Sequence, residues 1–256
     1  MMKLLRNHSG EAPLYLWFHE NTRLTPSQLV YRSFQFPLHA PKKEYQGFPA
    51  CPLPASDSAP EMTLLEALCC RKSLRDFDPH SHISLDTLAG ILRYAYGVTH
   101  RVGDFSLRAA ASAGGRYPIE VYIAAQAVEG LDPGLYHLHP EKETLTQMRR
   151  GRVDVSSWAC NTPNAEVTRT ADCLLILTAV FERTIRKYGD RGYRYVMLDA
   201  GHLGQNVYLC ATAFGTACVG LGGFFEEEVE RELGVDGVNE SVVYMLALGK
   251  PRMGGV

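Results

Sequence analysis

Residues 171–181 read ADCLLILTAVF and residues 193–214 read YRYVMLDAGHLGQNVYLCATAF. The first is a continuous apolar run, the pattern of a strand buried on both faces at the centre of a sheet. The second places Val196, Ala200, Leu203, Val207, Cys210 and Phe214 at alternating spacings of four and three, which is one stripe of an α-helix, and Gly215 follows as its stop. A helix this long with such a stripe predicts the central buried helix. A buried strand beside a buried helix predicts an α+β domain.

The flanking sequence extends that reading. Ile119, Val121, Ile123 and Ala125 alternate as a strand, Asp132-Pro133-Gly134 is a turn, and Leu135-Tyr136-His137-Leu138 begins the next strand. Upstream, Thr63-Leu64-Leu65-Glu66 has the form of a capping box and predicts a helix to about Cys70. Ser84 caps a second helix with Leu88, Ile91, Leu92 and Ala95 on its apolar face and Gly97 at its end. Downstream come a glycine-rich strand or loop (Val219 to Phe225), a short acidic helix (Glu226 to Leu233) and a last strand (Val242 to Leu248). There is no internal repeat.

Residues 1–60 differ from the rest, since eight of the 14 prolines fall there, which excludes long helices and central strands. Interspersed aromatics (Tyr15, Trp17, Phe18, Tyr31, Phe34, Phe36, Tyr45, Phe48) predict an extended arm packed on a body and not a free linker. The expected division is an arm over 1–60 and one domain over 61–256.

Composition narrows the class. The chain has 256 residues, a net charge of −2, 46% hydrophobic and 21% charged residues, as in an ordinary globular protein. No basic block suggests nucleic acid, no apolar run is long enough to span a bilayer, and no signal peptide is legible, so a cytoplasmic protein is expected. The seven cysteines form no Cys-x-x-Cys pair and no zinc spacing, so no metal is expected, and buried reduced thiols are.

Four segments can carry chemistry. Arg71-Lys72-Ser73-Leu74-Arg75 puts three cations and a hydroxyl within five residues, fit for a phosphate and equally for a solvated helix end. Ser112-Ala113-Gly114-Gly115-Arg116-Tyr117-Pro118 offers small residues to a flat ligand, or is a plain loop. Lys250-Pro251-Arg252 is a second phosphate candidate or a basic surface tail. Lys187-Tyr188 supplies proton-transfer groups if burial shifts them, and otherwise belongs to a polar loop. Phosphate-loop, dinucleotide and serine-hydrolase signatures are absent.

In this order the segments resemble the nitroreductase superfamily, over about residues 62–252. Within it the chain looks most like the SagB-type dehydrogenases of thiazole/oxazole-modified peptide biosynthesis. That likeness rests on residues 112–118, Pro133-Gly134-Leu135-Tyr136, Lys187-Tyr188 and Gly201-His202-Leu203-Gly204-Gln205-Asn206. The resemblance implies a nitroreductase-like fold, a mixed central sheet flanked by helices, a homodimer and non-covalent FMN. It implies that Arg71, Lys72 and Ser73 contact the phosphate and ribityl chain, that Arg75 lies near the N1/O2 edge of the ring, and that Lys250 and Arg252 complete the phosphate site. Ser112, Ala113, Gly114, Gln205, Gly222 and Gly223 are further implied cofactor contacts. Lys187 and Tyr188 match the pair associated with azoline oxidation, in which the ring loses a hydride to the flavin and a proton to a base. The implied substrate is a heterocyclic, modified-peptide or amino-acid-derived molecule, in some cases within a biosynthetic complex. An NAD(P)H-dependent nitro or quinone reductase and a non-catalytic flavin-binding subunit are the alternatives.

Overall fold

The structure is a computed structural model, and it describes residues 13–24, 42–55, 60–103, 105–159 and 164–252. In chain order its elements are α1 (Leu14–Asn21), β1 (Ala50–Pro52), α2 (Leu64–Cys70), α3 (Leu85–Tyr96), β2 (Val98–Val102), β3 (Phe105–Arg108), β4 (Ile119–Ala125), β5 (Gly134–His139), β6 (Thr144–Arg150), α4 (Ala165–Thr170), β7 (Cys173–Val180), α5 (Glu182–Tyr188), α6 (Gly192–Ala213), β8 (Ala217–Leu221), α7 (Glu226–Leu233) and β9 (Glu240–Gly249). Seven strands form one sheet in the order β1-β6-β5-β4-β7-β9-β8, and β2 and β3 form a separate hairpin.

The apolar run at 171–181 takes the central position, paired with β4 on one side and β9 on the other. Its residues from Cys173 to Ala179 are buried, as a strand covered on both faces must be. One face of the sheet carries α3 and α6, with Leu88, Ile91, Leu92, Val196, Leu203 and Val207 packed on Ile123, Leu175 and Leu177. The other carries Trp158, Val167, Val229 and Leu233 against Tyr122, Leu174 and Ile176.

The α+β class and the helix-flanked sheet stand, and the sheet is more uniform than the mixed arrangement expected. Every described ladder in it is antiparallel. β7 and β8 run the same way and are joined through α5 and α6, but β9 enters between them and pairs with both. That insertion turns what would be one parallel ladder into two antiparallel ones.

Local signals hold where side chains satisfy free backbone groups. Thr63 Oγ1 accepts from Glu66 N at 3.3 Å while Thr63 N donates to Glu66 Oε2 at 2.8 Å, which closes the capping box. Ser84 Oγ accepts from Thr87 N at 3.2 Å. Each such cap stabilises its helix by about 1 kcal/mol.

Other expectations need correction. The arm is not simply extended. Proline at the N-cap still permits the eight-residue α1, because the cap needs no amide hydrogen. Its Tyr15 and Trp17 are exposed, although Phe18 meets Tyr193 edge-on at 5.3 Å. Arg191 Nη1 donates to Thr22 O at 2.9 Å and Arg194 Nε to Thr22 Oγ1 at 2.6 Å, so polar contacts hold this helix as much as aromatic packing does. β1, with Pro52 in it, joins the sheet only at an edge, where proline leaves no ladder unmade. Tyr31, Phe34 and Phe36 lie outside the described residues. Val219–Phe225, read as strand or loop, is strand to Leu221 and loop after it, and Lys187-Tyr188 closes a helix instead of lying in a loop. Of the cysteines, Cys173 and Cys218 are buried, Cys51 and Cys210 half-buried, and Cys69 and Cys70 exposed on α2, while Cys160 lies outside the described residues.

Candidate functional site

The chain leaves α2 at Arg71 and runs beside β8, where Leu74 N donates to Cys218 O at 3.0 Å. Phe77 then forms an antiparallel bridge with Pro251. Around it Asp78 N donates to Lys250 O at 2.8 Å and Arg252 N to Asp76 O at 3.2 Å. Two basic segments far apart in sequence therefore lie side by side. Tyr208 of α6 ties them to the body. The Arg71 guanidinium lies 5.3 Å from its ring, Ser73 Oγ is 3.1 Å from its Oη, and that Oη accepts from Gly220 N at 2.5 Å. Lys72, Arg75 and Lys250 are exposed. Arg252 makes a 3.4 Å ion pair with Asp76 at the surface. Among the described residues none of Arg71, Lys72, Arg75 and Lys250 has a carboxylate partner. Such cations with a nearby hydroxyl suit a phosphate group.

The second cluster gathers on residues 112–117. Ser112 Oγ donates to Asp199 Oδ2 at 2.6 Å, Ala113 N donates to Asp199 Oδ1 at 3.2 Å, and Tyr117 N donates to Ser112 Oγ at 2.8 Å. Asp199 is buried in α6, and burial pushes its carboxyl above the usual range against the pull of the Ser112 and Ala113 hydrogen bonds. Gly114 has φ +60, a left-handed conformation that favours glycine. A Cβ there would stand 2.5 Å from Tyr188 Oη and 2.6 Å from Lys187 Nζ. The ends of both α5 side chains thus rest on this backbone. Lys187 Nζ is 5.1 Å from the centre of the Tyr188 ring, which meets Tyr195 edge-on at 4.9 Å. Both residues are partly exposed, so a ligand can reach them.

One helix joins the two clusters. Asp199 holds the 112–117 loop and Tyr208 holds Arg71 and Ser73, nine residues along α6, or roughly 14 Å at 1.5 Å per residue. Gln205 is exposed one turn before Tyr208. Gly222 and Gly223 lie exposed in the loop after β8, where Gly223 O accepts from Asn164 Nδ2 at 2.9 Å. Sequence reasoning missed Asp199 and Tyr208, the two residues that organise the clusters. The available signal for Asp199 was a carboxylate beside the apolar stripe of Val196, Ala200 and Leu203. Tyr208 carries no signal without the fold, since its partners come from two other segments. Among the described residues no His, Cys, Asp or Glu cluster could hold a metal ion, and no helix is long and apolar enough to cross a membrane.

The profile of the nitroreductase family matches residues 70–250. MJ1384 of Methanocaldococcus jannaschii, named as a nitroreductase, is 36% identical over 68% of this chain and 85% of its own. The trifolitoxin-processing protein TfxB of Rhizobium leguminosarum bv. trifolii is 27% identical over 53% of this chain and 39% of its own. The microcin B17-processing protein McbC of Escherichia coli is 25% identical over 49% of this chain and 47% of its own. The match thus spans under half the length of each of these two processing proteins. Among solved structures, a nitroreductase of Anabaena variabilis superposes with a TM-score of 0.72 at 29% identity, over 91% of this chain and 45% of that one. A chain of the E. coli McbBCD microcin synthetase complex, with truncated pro-MccB17 bound, superposes with a TM-score of 0.62 at 20% identity, over 93% and 92%. An FMN complex from Desulfovibrio desulfuricans superposes with a TM-score of 0.51 at 19% identity, over 77% and 90%. The last two likenesses are of fold.

Proposed function

Given that the chain belongs to the nitroreductase family, we propose that it is an FMN-dependent dehydrogenase of the SagB type, oxidising an azoline-like or amino-acid-derived group. The observation that carries this reading is the seating of Lys187 and Tyr188 on Gly114, which joins the proton-transfer pair to the small-residue loop. Likeness to a trifolitoxin-processing and a microcin B17-processing protein supports the substrate class.

FMN fits the donor set. Arg71, Lys72, Ser73, Lys250 and Arg252 would hold its phosphate and ribityl chain, Arg75 the N1/O2 edge, and Ser112, Ala113 and Gly114 the ring, with Gln205, Gly222 and Gly223 lining the site. Two clusters on one helix ask for an elongated ligand with an anionic end. FMN, when bound, supplies the two-electron acceptor. The protein's part is to orient the substrate over the 112–114 loop and to take its proton at Lys187 Nζ, or at Tyr188 Oη with Lys187 beside it. A homodimer is part of the reading, supported by exposed Leu64, Leu65 and Leu68 on α2 and Leu198 on α6. A biosynthetic complex is a further part, by analogy with the microcin synthetase.

The test begins with the absorbance spectrum of the purified protein and anaerobic addition of NADPH. Flavin bands that NADPH leaves oxidised, but an azoline-containing peptide bleaches, support the dehydrogenase. Rapid bleaching by NADPH alone replaces it with a nicotinamide-dependent reductase. A flavin that no donor reduces makes the protein a non-catalytic subunit. Lys187→Ala is expected to keep FMN and lose azoline oxidation, and an unimpaired rate overturns the assignment.

A further inference from the structure

Beside the 112–117 loop lies a solvent-open cleft, walled by Lys42, Arg108, Tyr117, Glu120, His139 and Arg183 among others. It shares Tyr117 with the 112–117 loop and lies apart from the Arg71 and Lys250 cluster. The carboxylates on its wall are already held. Glu120 is buried, bonded to His137 Nε2 at 2.7 Å and to Arg183 Nη2 at 2.5 Å, and Glu141 is paired with Lys42. Glu240, just behind, is paired with Lys43.

Two guanidinium groups keep donors to spare. Arg183 has a side chain only 7% exposed, and it gives Nη2 to Glu120 and Nη1 to Tyr117 O at 3.1 Å, while its buried Nε has no partner among the described residues. Arg108 has its faces occupied by aromatic rings, with Cζ 4.5 Å from the Tyr96 ring and 5.0 Å from the Tyr117 ring. Its buried Nε also has no partner among the described residues. A buried donor left unpaired is costly, and a guanidinium only donates, so what completes the pair is an acceptor. A planar donor edge between two rings favours a carboxylate or phosphate oxygen over a neutral carbonyl.

We infer that this cleft binds the oxyanion of a ligand, a carboxylate or a phosphate ester, with Arg108 and Arg183 as its donors. Arg183 stands four residues before Lys187 on α5, so the two share a helix face, about 6 Å apart along the axis. Lys187 is not among the residues that line the cleft, so an anchored molecule reaches it only if it spans that helical turn. The anchoring itself does not depend on the reaction proposed for that residue, and a binding measurement tests it separately.

The experiment is calorimetric titration of the FMN-loaded protein with N-acetylglycine and, separately, with methyl phosphate. FMN loading keeps the Arg71 and Lys250 cluster occupied. Saturable binding of either probe is expected. N-acetylglycine alone points to a carboxylate ligand, such as a peptide terminus, and methyl phosphate alone to a phosphate ester. Arg108→Gln is expected to weaken binding about tenfold or more. Should that variant misfold, Arg108→Lys keeps the charge, loses the planar fork, and is expected to weaken binding several-fold. Arg149→Gln, which removes a surface cation on β6 paired with Glu232, is expected to leave binding unchanged. Absence of saturation with both probes overturns the inference, as does equal weakening by Arg149→Gln or unchanged affinity in a folded Arg108 variant.

Discussion

The backbone of Gly114 passes so close to Lys187 that a methyl group added to it would stand 2.6 Å from Nζ. Gly103 has nearly the same backbone, φ +58, with nothing among the described residues within 4 Å of an added Cβ. The two glycines make a matched pair. Gly114→Ala and Gly103→Ala are each expected to cost about 1–2 kcal/mol from left-handed strain. Only Gly114→Ala also displaces the ends of Lys187 and Tyr188. Urea unfolding and substrate-driven flavin bleaching, run on both variants, separate the effects: similar stabilities, with bleaching slowed in Gly114→Ala alone. Equal bleaching rates would show that the contact has no functional weight.

Arg71 is held over Tyr208, whose hydroxyl also meets Ser73 and Gly220 N, so cation, hydroxyl and β8 form one unit. Arg71→Ala removes a charge from the proposed phosphate site and is expected to lower FMN occupancy in the purified protein, read from the ratio of flavin to protein absorbance. Tyr208→Phe keeps the charge and the ring but frees Ser73 and Gly220 N, at about 1 kcal/mol. It is expected to reduce occupancy less than Arg71→Ala. A flavin-replete Arg71→Ala protein would place the phosphate elsewhere.

Glu120 gives the fold a defined acid sensitivity. Burial opposes its charge, but His137 and Arg183 outweigh burial and hold the carboxyl at about 2 against an ordinary 4.5. Its contribution to stability is therefore complete above about pH 4.5 and lost as pH falls through about 2. Glu120→Gln leaves Arg183 and His137 buried without their anion, at about 3–5 kcal/mol near neutrality. The stability gap between wild type and Glu120→Gln is expected to narrow between pH 5 and pH 2. Urea midpoints across that range check it, and a gap independent of pH would contradict the assigned partner set.

Much of the fold was legible in the sequence because its strongest signals are periodic. The strand at 173–180 and the helix at 192–213 stand where the apolar patterns put them, and Thr63 and Ser84 start helices because their hydroxyls are placed to accept backbone hydrogens. β6 went unread because Thr144–Arg150 is polar and half-buried near an edge, where alternation is weak. The antiparallel course of the sheet went unread because the insertion of β9 between β7 and β8 is a fact of topology and leaves no local trace. Candidate residues were legible as types, such as cations near a hydroxyl or a lysine beside a tyrosine. Their convergence was not, since it depends on the Phe77–Pro251 bridge and on Asp199 and Tyr208 reaching across the molecule.

β9 fills a gap between two strands that are made before it. A nascent chain that has emerged only as far as residue 239 carries β7 and β8, each with an open edge, and lacks Lys250 and Arg252. Open apolar edges invite pairing with the wrong partner, so this stage is the one at which the growing polypeptide most needs shielding. The same late strand brings the second basic segment beside the first. A polypeptide able to hold the proposed phosphate from both sides is therefore one whose sheet has already closed, and retention of the proposed flavin would report on completed assembly as much as on affinity.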